Sequence, residues 1–539
     1  MVPAWSLTGP GRSPSTGGAQ APACPLHSYS DLTALSAAPR HANLQPLDNA
    51  SPDVPAEAWE RGRSDARGHP TKPDMTPTLV LNVVGLTPGL LAHAPNLQAL
   101  AKAGAVRPLT TVLPAVTTTV QSTLLTGLPP RDHGIVANGW YFRDLSEIWL
   151  WRQSNRLVAG EKVWEAAKKR DPAFTCAKLF WWYNMYANVD FAVTPRPMYL
   201  ADGRKMPDIH THPAGLRDEL QDSLGEFPLF RFWGPGADIE SSRWIARSAL
   251  HVLNKHQPTL TLVYLPHLDY DLQRFGPRHP CIPAQVAAVD ALCAPLIEKA
   301  RATGAHVVVL SEYGMTEVSR PVHINRALRQ AGWLKVRLER GLEQLDAGAS
   351  DAFAVADHQL AHVYVARPEL LGEVAACLKG LPGVEAVLDE DGKRAAGLDH
   401  ARSGELVAIA KADSWFTYYH FLDDARAPDF ARTVEIHRKP GYDPAELLFD
   451  RKLAFPKLAV AARLARKALG MRYLMDVIGL DATVVRGSHG RPTDSEQDGP
   501  LFITSAPDLL APGPVSAASV KQLLLDHLFP ASAGTAGQP

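Results

Sequence analysis

From Thr78 onward the chain alternates short apolar runs with longer stretches of helical period, and no other feature constrains its fold as tightly. The runs "TLVLNVV" (78–84), "FTCAKLF" (174–180), "TLTLVYL" (259–265), "HVVVL" (306–310), "AHVYVA" (361–366), "ELVAIA" (405–410) and "LFIT" (501–504) are rich in aliphatic and β-branched residues. They are short for helices and too evenly apolar for strands with one wet face, so they read as buried strands. Helical patterns fit 94–104, 237–256, 283–303, 322–332, 367–379, 456–469 and 516–528. Such alternation builds a mostly parallel sheet covered by helices, an α/β fold. In open sheets of this kind ligands sit outside the carboxyl ends of the strands.

The rest of the chain sorts around that domain, expected over 75–530. Residues 1–74 are rich in Pro, Ala, Ser, Gly and charge without periodicity, and are expected to be a disordered extension. Met75 directly precedes the first strand, so a start at Met75 is the competing reading. Residues 531–539 are expected to be a disordered tail. The segment 140–235 is thick with aromatics and poor in period; it reads as long loops over one end of the sheet, a lid-like insertion, or as an aromatic satellite core. Residues 383–398 read as a small hairpin-bearing insertion.

Composition excludes several partners. Formal net charge is -1 with 21% charged residues, which leaves no basic footprint for nucleic acid. The five cysteines are widely spaced without a CxxC pair, which points to a reducing, cytoplasmic compartment. No apolar run reaches the ~18 residues that span a bilayer, and no membrane partner is expected.

Four strand-end segments carry polar residues that can do chemistry. "PAVTTTVQSTLLTGLPPRDHGIVANG" (114–139) runs from a Pro-bounded turn into a helix near Thr117–Thr119. Threonines there are ordinary helix caps, or one is a nucleophile toward a phosphoryl group. In "YLPHLDYDLQRFGP" (264–277), an extended backbone would place His267, Asp269 and Asp271 on one side, a set able to hold a divalent cation. "SEYGM" (311–315) and "RGSHGRPTD" (486–494) complete the group.

The order of these segments resembles the nucleotide pyrophosphatase/phosphodiesterase branch of the alkaline phosphatase superfamily. The family's strand ending in Asp-Gly is here "LNVVGL"; its nucleophile helix and "TG.P..HGI" segment is "VTTTVQSTLLTGLPPRDHGIVANG". Its "D…H..GP", "SDHGM" and "G.HG" are here "LDYDLQRFGP", "SEYGM" and "GSHG". The resemblance implies an alkaline-phosphatase-like α/β/α sandwich and hydrolysis of phosphodiesters or nucleotide pyrophosphates at two metal ions, typically zinc. Thr117 falls at the nucleophile position, and Asp269 and His489 at two ligand positions of the first metal. Gln273 stands where that metal's second His belongs. Val84 replaces a carboxylate of the second metal, Glu312-Tyr313 replaces its Asp-His, and the usual phosphoryl-steadying asparagine falls at Val120.

Valine cannot ligate, and neutral Gln and Tyr are weak ligands beside imidazole. The expectation is therefore a phosphodiesterase/pyrophosphatase-like hydrolase of small anionic esters. It would have a Thr117 nucleophile and a non-standard, reduced or rearranged metal site. That site would hold fewer than two divalent ions, zinc by resemblance, on Asp269, His489 and Glu312 or Gln273. Glu312 is a ligand or a general acid/base. Asp357, His358 and His362 in "AVADHQLAHVYV" are replacement ligands or packing residues. Asn138, Arg196, Arg204, Lys205, Arg438 and Lys439 are candidate substrate-binding residues. The alternative is a degenerate member that binds a metabolite or protein partner without hydrolysis.

Overall fold

The computed structural model describes residues 75–202 and 204–530. The expected N-terminal extension and C-terminal tail lie outside these residues. The principal strands begin with β1 (Thr78–Val83), β2 (Ala105–Thr110), β3 (Cys176–Leu179), β4 (Phe191–Pro195), β5 (Ile209–His212), β6 (Leu260–Leu265) and β7 (His306–Leu310). They continue with β8 (Ala352–Asp357), β9 (Leu360–Val365), β10 (Val384–Leu388), β11 (Leu406–Ala410), β12 (Leu501–Thr504) and β13 (Val515–Ser516). Nine of them form one mixed sheet in the order β13-β2-β12-β7-β1-β6-β3-β4-β5.

Its centre is parallel. β1 pairs in parallel with β6 (Leu81 opposite Val263) and with β7 (Leu81 opposite Val309), and the parallel run continues through β3 and β4. β1 and β6 are buried at every position, as strands covered on both faces must be. β12 is inserted antiparallel between β7 and β2. The sheet is flanked by helices, among them α1 (Thr117–Thr126), α2 (Ile239–Lys255), α3 (His267–Phe275) and α4 (Ile282–Ala302). Helix α2 packs on β6, and α4 packs on β1 and β7.

The structure corrects four expectations. The runs near 361–366 and 405–410 are strands, but they belong to a separate antiparallel sheet, β8-β9-β11-β10, with its own apolar core. Residues 383–398 hold no hairpin. β10 joins that sheet, and Asp389 then caps a short helix, Glu390–Ala395, by accepting from Gly392 N. The polar run that reads as a turn is a helix N-terminus. Residues 140–235 are not loops alone: they supply β3, which reads as a strand from sequence, and β4 and β5, whose shortness hides their period. The segment after β6 is not extended either. It turns into α3 at His267, so Asp269 diverges from its neighbours two away: His267 and Asp271 stay on one helix face, 3.9 Å apart, with Gln285 and Arg274 at 2.9 Å each, while Asp269 turns to Gln273 and Tyr313.

Candidate functional site

Polar side chains converge where the parallel strands end. β1 supplies Asn82, α1 supplies Thr117 and Gln121, α3 supplies Asp269 and Gln273, and the turn after β7 supplies Glu312 and Tyr313. His489 follows the short strand Gly487–Ser488, and the β8–β9 turn adds His358. That turn is tight, and His358 sits at φ 61, a conformation uncommon for a residue with a Cβ and enriched at functional sites. The glycine after His489 is required by packing. A Cβ on Gly490 (φ +119) would stand 2.9 Å from Gln359 N, whose N–H donates to the His489 carbonyl at 2.8 Å.

Thr117 occupies the middle. Its Oγ1 lies 3.0 Å from the Tyr313 hydroxyl, which in turn donates to Asp269 Oδ1 at 3.3 Å. Asp269 Oδ2 accepts from Gln273 Nε2 at 2.7 Å, and Gln273 Oε1 accepts from the Tyr442 hydroxyl at 2.8 Å. His489 donates through Nδ1 to the Ala115 carbonyl at 2.8 Å, which leaves Nε2 as the acceptor nitrogen, 3.7 Å from Asp269 Oδ1. Its ring is sandwiched between those of Tyr313 and His358, each centroid 3.6 Å away. On the other side of Thr117, Glu312 Oε1 accepts from Asn82 Nδ2 at 2.5 Å and from Gln121 Nε2 at 2.7 Å. Glu312 Oε2 is buried without a hydrogen-bond partner among the described residues.

Burial governs the charges. It pushes the Asp269 carboxyl up to about 7 and Glu312 up to about 8, against hydrogen bonds that favour their ionised forms. It holds His489 down at about 3, so that imidazole is neutral. Every one of these polar residues is less than a tenth exposed. Aromatic side chains crowd the same region: Trp151 lies 4.7 Å from Trp182 and 6.0 Å from Tyr442, and Trp233 lies 5.7 Å from Tyr442. A hollow of about 430 Å³ lies at the opposite end of α1, lined by Thr126, Gly127, Lys169 and Lys521, away from Thr117.

Residues 78–443 match the family model described as type I phosphodiesterase / nucleotide pyrophosphatase. The chain belongs to that family. No curated protein matches it by sequence. Among solved structures it is similar to phosphonoacetate hydrolase from Sinorhizobium meliloti 1021 in complex with phosphonoformate. That match has a TM-score of 0.54 and 15% identity, and covers 84% of this chain and 96% of that one. The same enzyme with phosphonoacetate gives 0.53 and 16%, over 84% and 96%. Murine ectonucleotide pyrophosphatase / phosphodiesterase 5 in complex with AMP is more distant, at 0.49 and 14%, over 84% and 94%. Family and fold are those of phosphodiesterase/pyrophosphatase-type hydrolases.

Within this family member, the donor set does not fit a two-metal centre. Val84 is buried and offers no donor. Two amide N–H groups occupy Glu312 Oε1, which leaves only its Oε2 free to ligate. Gln273 turns an amide N–H toward Asp269 where the resemblance implies an imidazole lone pair. Among the described residues no three His, Cys, Asp or Glu side chains form a group able to hold a metal ion. His362, considered as a replacement ligand, faces away: Nε2 bonds the Val136 carbonyl and Nδ1 accepts from Gly404 N.

The remaining candidates are spread out. Asn138 braces the site: its Oδ1 accepts from Thr118 N at 3.0 Å, while Nδ2 and its own N–H reach Asp357 at 3.1 and 2.7 Å. Thr118 Oγ1 donates to the Ala137 carbonyl, and Val116, not a threonine, holds the N-cap position of α1. Arg196 is exposed, Arg204 pairs with Asp202, and Arg438 pairs with Asp429. Lys205 lies over the Tyr199 ring, and Lys439 is buried between Asp443 and Glu446 at 2.7 Å each. No hydrogen bond or ion pair among the described residues links these five cations to Thr117, Asp269 or Glu312. Sequence reading missed Asn82, Gln121 and Tyr442. A lone Asn inside an apolar strand, and a Gln four residues after Thr117 on the same helix face, are the signals that mark the first two.

Proposed function

We propose that the protein hydrolyses small phosphoric esters or pyrophosphates with Thr117 as nucleophile, at a site rebuilt around Tyr313 and Glu312 in place of a two-metal centre. The observation that supports this reading is the hydrogen-bonded chain Thr117 Oγ1–Tyr313 OH–Asp269 Oδ1, at 3.0 and 3.3 Å. In it, Thr117 Oγ attacks phosphorus while its proton passes to the Tyr313 hydroxyl, whose own proton moves to Asp269. The bond from phosphorus to the leaving oxygen breaks, and water later cleaves the phosphothreonine ester. The first turn of α1, a ten-residue helix, offers backbone N–H groups and a positive dipole end to the phosphoryl oxygens. Glu312, with its unpartnered Oε2, is the candidate acid for the leaving oxygen. Asp269 and His489 limit the protein to at most one divalent ion.

The test is a screen of nitrophenyl phosphodiesters, phosphomonoesters, phosphonates and nucleotide pyrophosphates, with zinc, manganese, magnesium or chelator. Thr117→Ala removes at least ~100-fold of the activity, about 2.7 kcal/mol of transition-state stabilisation. Thr118→Ala, whose hydroxyl is committed to Ala137, stays within a few-fold of wild type. Equal losses in both variants, or silence across every substrate and metal, overturn the reading.

A further inference from the structure

Helix α5 (Pro456–Ala468) turns its two leucines outward. A surface helix ordinarily turns its apolar stripe to the core and its charges to water. None of the residues of α5 is buried. At about 100° per residue, Leu464, Lys457, Ala468, Ala465, Leu458 and Ala462 share one arc, and that arc is the exposed one: Leu458 is 66% and Leu464 44% exposed. The inward arc carries Val460, packed against a neighbouring apolar cluster, and Arg463, paired with Asp476 at 2.6 Å. The apolar display continues past both ends of the helix, with Phe455 73%, Leu469 76% and Leu474 51% exposed.

Charge is as one-sided as apolarity. Between Asp450 and Asp476 stand seven Lys or Arg residues and no acid, in a chain of net charge -1. Arg451 and Arg463 are paired with Asp481 and Asp476. Lys452, Arg466 and Arg472 have no ion-pair partner among the described residues. Scattered large apolar side chains interleaved with cations, on a shallow Ala-rich surface, match an occupant that is apolar within, anionic at its face and without fixed shape. No helix among the described residues is long and apolar enough to cross a membrane. That criterion tests spanning, and the expectation of no membrane partner rested on it alone; a helix lying on the surface needs far less apolar length.

We propose that residues 451–474 form a peripheral membrane-binding element. Helix α5 lies in the plane of an anionic bilayer, with Leu458, Leu464 and the flanking Phe455 and Leu469 inserted, and Lys452, Arg466 and Arg472 on the headgroups. The test is co-sedimentation of the full chain with vesicles of phosphatidylcholine, alone or mixed equally with phosphatidylserine. The protein binds the mixed vesicles, and pure phosphatidylcholine at least ~10-fold more weakly. The double variant L458E/L464E loses at least ~10-fold of the binding. R466E/R472E weakens it and flattens its salt dependence. Both pairs are exposed, so thermal melts of the variants check that they stay folded. Absence of binding to either vesicle overturns the proposal, as does binding that ignores L458E/L464E. A concentration-dependent dimer that L458E/L464E dissolves, seen by sedimentation velocity, assigns the face to a second copy of the chain instead.

Discussion

The phenol ring of Tyr313 lies flat on the imidazole of His489, with centroids 3.6 Å apart and planes 8° apart. The stack fixes the phenol so that its hydroxyl stands between Thr117 and Asp269. A neutral hydrogen-bonding group therefore occupies the place where the resemblance implies a second metal's imidazole ligand. Val84, which has no donor atom, is buried, and Asn82 and Gln121 hold Glu312 with amides.

Metal content follows directly. Elemental analysis of purified protein should give at most about one tightly held divalent ion per chain, and Asp269→Ala and His489→Ala should each remove it. Two equivalents would mean that a ligand set absent from this arrangement has assembled.

Asn138 is a structural clamp before it is a substrate contact. It satisfies the buried Asp357 from two donors and closes the first turn of α1 through Thr118 N. Asn138→Ala leaves one Asp357 oxygen and one backbone N–H without these partners in the interior. It should cost roughly 2–3 kcal/mol, read as a shift of the urea midpoint at unchanged m. A shift below about 0.5 kcal/mol would return Asn138 to the substrate-facing role.

The parallel centre of the sheet was legible because β1, β6 and β7 are continuous apolar runs, a pattern that burial on both faces produces. β4 and β5 were not legible: they are short, and the aromatic surroundings mask their period. The site was half legible. Thr117, Asp269 and His489 stand at motif positions, and the structure brings them together. The run from His267 to Asp271 misled, because period-two reasoning fails once Pro266 starts a helix rather than prolonging the strand. The five cations proposed from local charge were the least legible, because which carboxylate neutralises a lysine is a tertiary fact. Lys439 shows this best, held between Asp443 and Glu446.

Acid should destabilise the protein well before ordinary carboxylates titrate. Burial lowers His133 and His489 to about 3, and His323, His362, His420 and His527 to about 4. An unfolded histidine has a pKa near 6.5. Below that pH the unfolded chain takes up protons that the folded chain refuses, so stability falls as pH drops from about 6.5 toward 4. Asp269 and Asp357, raised by burial to about 7, and Glu312, raised to about 8, have the opposite sign: their contributions are full below about 4 and are lost as pH rises through 7 to 8. Six histidines outweigh three carboxylates, and melts between pH 7 and 4.5 should show a falling Tm. A flat profile would mean that these histidines are already protonated in the fold.

The phenol of Tyr313 should matter to turnover more than to binding. Tyr313→Phe keeps the ring against His489 and deletes only the hydroxyl that joins Thr117 to Asp269. If the proton of Thr117 leaves through that hydroxyl, kcat should fall roughly 100-fold with KM changed by no more than about threefold. Two groups acting in one step are not additive, so Thr117→Ala combined with Tyr313→Phe should be about as inactive as Thr117→Ala alone. Melting of the Tyr313→Phe protein separates this from a packing defect, since the loss of one buried hydroxyl with its stacking intact should cost only about 1 kcal/mol. A Tyr313→Phe enzyme within a few-fold of wild type would remove Tyr313 from the proton path and leave Glu312, the other carboxylate beside Thr117, as the base to test.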